Sequence, residues 1–151
     1  MTPKKRIQFT TLIGARPEAV WNTMLGPGSY RDWTASFEEG SYYEGSFDQG
    51  GKIRFLTPGG RGMVARIATS RPPAYLSIEH LGFVQDGIED TTSDAVRAWA
   101  PVFENYSFRE VDGATELVVE LDVTADFEDY MQERWPKALV RLKELCETPD
   151  A

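Results

Sequence analysis

The chain is poor in the residues that most often carry chemistry. It has one cysteine, Cys146, and one histidine, His80, among 151 residues. A lone cysteine excludes an internal disulfide framework. The basic start, Met1 to Arg6, lacks the apolar stretch and cleavage site of a signal peptide, so a cytoplasmic protein is expected. One His, a distant Cys and no close ligand spacing fail the common zinc patterns. The acids Asp86, Glu89, Asp90 and Asp94 lack the glycine and spaced oxygens of a calcium loop. No metal and no cofactor are expected. Cations are also in deficit, with 16 Lys and Arg against 24 Asp and Glu and a formal charge of -8. That balance argues against a nucleic-acid partner, because phosphate binding relies on clustered Lys and Arg. No apolar run approaches the roughly 18 residues of a membrane span. Gly59-Gly60-Arg61-Gly62 has no helix after it and is no phosphate cradle. Ser29, Ser36 and Ser93 stand outside any nucleophile elbow. Repeats, low-complexity tracts and linkers are missing, so residues 1–151 read as one domain.

What the chain has is periodicity. Ile7, Phe9, Thr11 and Ile13 alternate with Arg6, Gln8, Thr10 and Leu12, the pattern of a half-buried strand, with Lys4, Lys5 and Arg6 flanking it. Pro17 suits a first helical position. Ala19, Val20, Trp21, Met24 and Leu25 form one helical face that Gly26-Pro27-Gly28 ends. Ser29 is placed to cap a second short helix carrying Tyr30 and Trp33. Strands are expected over 37–44, 52–57, 62–69 and 75–84, punctuated by Gly50-Gly51, Pro58-Gly59-Gly60 and Pro72-Pro73. The segment 85–100 has weak periodicity and is expected to be a cover or a short helix. Strands 102–111 and 115–123 flank Asp112-Gly113, a strong hairpin signal. Asp126 is a candidate helix N-cap. Phe127, Met131, Trp135, Ala138, Leu139, Leu142 and Leu145 then make a stripe at helical spacing, which Pro136 should kink or divide. Cys146, near the end of that helix, reads as a buried, inert thiol.

The resulting order is strand, two short helices, about six strands and a long helix. Short turns between sequential strands imply an antiparallel sheet whose apolar face the last helix must cover. The fold class is α+β, a curved antiparallel sheet of about six to seven strands wrapped around a long C-terminal helix.

That order and its local wording resemble the helix-grip (SRPBCC) superfamily of START, birch-allergen-like and polyketide-cyclase domains. Within it the chain resembles bacterial proteins related to the activator of the heat-shock-protein-ninety ATPase. The residues that carry the likeness are Pro17-Glu18-Ala19-Val20-Trp21, Trp33, Gly50-Gly51, Pro72-Pro73 with Leu76, Gly113-Ala114-Thr115-Glu116-Leu117, and Trp135 with Leu139 and Leu142. The resemblance implies either a small-molecule binding protein or a chaperone-associated interaction module. Its third implication is a cyclase or dehydratase-like enzyme.

A helix resting on a bent sheet leaves a hollow between them, and such sites are mostly apolar. Strand parity places His80 on the face of Ile78, Tyr106 and Phe108 on the face of Glu104, and Phe55 on that of Ile53. Met131 and Trp135 face inward from the helix, while Trp33 and Trp99 suit a rim or lid. The expected ligand is small and apolar or amphipathic. Histidine is the side chain whose unperturbed charge change falls near neutral pH, so His80, with Glu104 or Tyr106, is the candidate acid–base group of the enzyme reading. The same His80 and Glu104 also suit a buried hydrogen-bonded pair with no ligand, and aromatics at these spacings suit plain core. No catalytic residue is assigned.

Overall fold

In the computed structural model, which describes residues 4–148, the alternating segments pair into one open antiparallel sheet of eight strands. Strand β1 (Lys4–Ile13) is followed by helices α1 (Pro17–Leu25) and α2 (Pro27–Trp33) and a 3-10 turn over Thr34–Ser36. Strands β2 (Tyr42–Gly45), β3 (Lys52–Leu56), β4 (Gly62–Arg71), β5 (Tyr75–Gln85) and β6 (Ile88–Asp90) come next. Helix α3 (Asp94–Trp99), β7 (Val102–Val111), β8 (Ala114–Thr124) and helix α4 (Ala125–Glu147) complete the chain. The strand order is β1-β8-β7-β5-β4-β3-β2, with β6 paired only to β5. Helix α4 lies across the inner face and buries Trp135, Ala138, Leu139 and Leu142 against it. This is the helix-grip arrangement in an α+β chain. Among the described residues no helix is long and apolar enough to cross a membrane.

Several local expectations are corrected. Lys4, Lys5 and Arg6 do not flank the first strand but belong to it, because the ladder with β8 runs from Lys4–Thr124 to Ile13–Thr115. The strand expected from residue 37 begins only at Tyr42, since Phe37 still caps the 3-10 turn. Ser29 lies inside α2 and bonds back to the Gly26 carbonyl; Gly26 itself is the N-cap, with Pro27 at the first helical position. The N-cap of α4 is Thr124, and Asp126 sits in the first turn, where its charge still complements the helix dipole. Pro136 does not divide α4, which is continuous from Ala125 to Glu147. Both Pro136 and Gln132, whose carbonyl loses its helical donor, are exposed, so the lost bond falls on the solvent side and not in the core. Burial pushes the Cys146 thiol above its ordinary value, with Thr23 offsetting part of the shift.

The segment 85–100 is more ordered than its composition implies. Asp86 and Gly87 both take positive φ, 51° and 78°, and turn β5 back into β6 as a tight hairpin. One edge of β5 is shared: β7 pairs with Tyr75–His80, and β6 takes over at Phe83–Gln85. Ser93 then caps α3 by accepting from the Val96 amide, and the helix brings Trp99 back over the sheet.

Candidate functional site

Between α4, the short helices and the concave sheet lies a cavity of about 660 Å³. Its walls are mainly aromatic and aliphatic, from Tyr30 and Trp33 of α2 to Phe55 of β3, Ile78 of β5, and Met131 and Trp135 of α4. The size falls in the range of small-molecule sites.

One polar cluster interrupts the apolar wall. His80 on β5 and Glu104 on β7 are diagonal neighbours, since Ile78 pairs with Glu104 and His80 with Val102. Nε2 of His80 lies 2.9 Å from Oε1 of Glu104. The Tyr106 hydroxyl donates to Oε2 of the same carboxylate. His80 is 4% exposed, and its Nδ1 is buried with no partner among the described residues. We assign the ring proton to Nε2: an unpaired buried lone pair is less costly than an unpaired N–H. Glu104 then accepts from two donors and is acceptor only, as an ionised carboxylate is. Its side chain remains 22% exposed. Burial, and then the charge of Glu104, push the Tyr30 phenol well above its ordinary value, with Tyr43 adding to the effect.

Rings enclose this cluster. Phe55 stands 5.6 Å from the His80 ring and Trp99 6.2 Å from it, centroid to centroid. Trp99 stacks on Phe83 at 4.5 Å, which holds α3 against the cavity. Tyr106 is 6.0 Å from Trp135. Toward the mouth the wall includes Glu38, Asp126, Phe127, Tyr130 and Arg61.

Nine of the ten expected wall residues border this cavity: Trp33, Phe55, Ile78, His80, Trp99, Glu104, Tyr106, Met131 and Trp135. Phe108 does not. It shares the face of Tyr106 but lies two residues further along β7, about 6.6 Å away. There α1 closes over the sheet, and Phe108 packs on Trp21 at 5.2 Å. Trp33 is no rim residue either; it is buried in the wall and donates Nε1–H to the Met24 carbonyl at 3.0 Å. Sequence reasoning missed Tyr30, Phe37, Phe47, Met63 and Phe83. Phe83 has a traceable cause. Partner numbers shift by one between His80–Ala65 and Gly82–Val64, so Leu81 is an extra residue that turns Phe83 onto the inner face. Among the described residues no group of three or more His, Cys, Asp or Glu is gathered as for a metal ion.

The sequence matches no family model and no curated protein. Solved structures share its fold. Protein MLL2253 from Mesorhizobium loti superposes with a TM-score of 0.75 at 12% identity, covering 97% of this chain and 100% of that one. CalU16 from Micromonospora echinospora gives 0.65 at 17% identity, over 95% of this chain and 77% of that one. DynU16, a protein of the dynemicin biosynthetic locus, gives 0.68 at 16% identity, over 97% of this chain and 48% of that one. At these identities the likeness is one of architecture: a curved antiparallel sheet gripping a long C-terminal helix.

Proposed function

We propose that the protein is a small-molecule binding protein of the SRPBCC superfamily, holding a largely apolar ligand with one polar end between α4 and the sheet. The observation that carries this reading is the polar cluster of His80, Glu104 and Tyr106 set in a mainly apolar cavity of about 660 Å³. Apolar walls supply the driving force, and a few fixed polar groups orient the ligand. The position of DynU16 in a biosynthetic locus is in keeping with a ligand of natural-product kind. The test is titration with a neutral apolar fluorophore, N-phenyl-naphthylamine, against wild type and Met131→Trp. Saturable binding to wild type, weakened at least about tenfold when the larger ring fills the wall, is the expected result. Equal binding by both proteins, or by neither, would remove the reading.

A second reading has its own observation. The chain from Tyr106 through Glu104 to His80 orients an imidazole by a carboxylate, an arrangement used in acid–base catalysis. A polyketide cyclase or dehydratase-like activity would use His80 as the base. Turnover of an aromatic polyketide substrate that persists in a folded His80→Ala protein would exclude that role.

A further inference from the structure

Resting on the binding reading, we infer that the ligand is an aromatic amine, cationic at neutral pH, and that Glu104 receives its ammonium end. The argument starts from charge inside the cavity. Glu104 is on the inner face of β7 and borders the cavity. Of the other acids in the lining, Glu38 and Asp126 are exposed, and Asp122 is already paired with Arg6 of β1 and accepts from the Phe103 amide, which leaves Glu104 as the inner carboxylate without a cationic partner. Its two partners neutralise nothing by themselves: the Tyr106 hydroxyl is neutral, and His80 donates a neutral N–H in the tautomer assigned above. Among the described residues no lysine lines the cavity, and Arg61 is its one arginine, exposed in the turn between β3 and β4. At the mouth that arginine is outnumbered by Glu38 and Asp126, both exposed. A ligand carboxylate would therefore enter past two acids and meet a third, with no buried cation to receive it. Burying a charge without a partner is costly, so such ligands are disfavoured.

The walls favour the opposite sign. Phe55 and Trp99 stand beside the His80 ring and Trp135 beside Tyr106, all in the cavity wall, and aromatic rings attract a cation through their quadrupoles. Each carboxylate oxygen has two lone pairs, so Glu104 retains accepting capacity after its bonds to His80 and Tyr106. An ammonium supplies the donors that capacity needs, and charge-assisted bonds of this kind are the strong ones. The net charge of -8 adds a field of the same sign at long range.

The experiment uses three probes sharing one ring system, naphthylmethylamine, naphthylmethanol and naphthoate, titrated calorimetrically into the full chain at pH 7. The amine should bind at least about tenfold more tightly than naphthoate, with the alcohol between them. In Glu104→Gln, checked for folding by circular dichroism, the amine and the alcohol should become equal within about twofold. Should that variant fail to fold, the wild-type ranking decides. Naphthoate binding as tightly as the amine would overturn the charge assignment while leaving the binding reading intact. An amine preference unchanged in folded Glu104→Gln would overturn the role given to Glu104. Binding of none of the three would overturn this inference and the binding reading together.

Discussion

Trp135 of α4 and Trp33 of α2 stand 6.0 Å apart with their rings tilted by 42°, and both are buried. Trp135 also meets Phe37 edge to face at 5.0 Å and stacks near Phe9 at 6.2 Å. One side chain thus ties the long helix to the short helical insert and to the first strand. Removing it empties the centre of the core as well as one wall of the cavity. Trp135→Ala should lower unfolding free energy by about 3–5 kcal/mol, measured by urea denaturation. A loss under about 1 kcal/mol would show that neighbouring rings collapse into the space.

The hydroxyl of Tyr106 bonds to Glu104, while its ring belongs to the core. Tyr106→Phe keeps the ring and deletes one of the two donors to the carboxylate. Stability should fall by about 1.5–3 kcal/mol, the scale of a hydrogen bond to a charged group. A double-mutant cycle with Glu104→Gln should give a coupling above about 0.5 kcal/mol. Additive losses would mean that the two side chains act independently.

The sheet was readable in the sequence because alternation, Gly and Pro mark strands locally. The Asp112-Gly113 hairpin shows this, with φ of 51° and 83° at the two turn residues. Asp86-Gly87 carries the same signal and makes the same turn, but the three-residue strand after it is too short to show periodicity. Inner-face residues were legible as long as parity held. Beyond Leu81 it fails, because a bulge adds one residue without any mark in the side chains, and Phe83 changes face. Phe108 errs in the other direction: parity tells which face a residue occupies, and cannot tell where along the strand the hollow ends. Tyr30 and Phe37 reach the cavity from a helix and a 3-10 turn whose placement on the sheet is purely tertiary. The expected acid–base partners were legible in identity, and their contact depends on the register between β5 and β7, two strands separated by a hairpin strand and a helix.

Tyr30 gives a pH prediction. Its phenol is held above the ordinary value first by burial, then by the charge of Glu104, then by Tyr43. The folded state therefore keeps this proton more tightly than the unfolded chain, whose tyrosines titrate near about pH 10. The stabilisation linked to Tyr30 is complete below that pH and is lost as pH rises through the folded value. Wild type should lose stability on going from neutral to strongly alkaline pH more steeply than Tyr30→Phe. Tyr43 and Tyr130, also raised mainly by burial, add a slope common to both proteins. Urea midpoints measured on either side of pH 10 check this, and parallel curves would place the phenol in contact with water.

Pro136 lies in the interior of a 23-residue helix, where proline removes one backbone bond and presses its ring on the carbonyl four residues earlier. That carbonyl belongs to Gln132, which is exposed, and Pro136 is exposed as well, so neither takes part in the core to which Trp135 and Leu139 belong. Alanine at this position restores the donor and removes the clash without opening a cavity. Relative to alanine, proline in a helix interior costs about 3 kcal/mol, reduced here by solvation of the freed carbonyl and by the more restricted unfolded chain. Pro136→Ala should therefore raise stability by about 1–2 kcal/mol, read as an increase in urea midpoint with an unchanged slope. Affinity for N-phenyl-naphthylamine should stay the same, because the residue points away from the cavity wall. A fall in stability would show instead that α4 is bent at Pro136 to follow the curved sheet and that straightening it breaks contacts with Trp135 and Leu139.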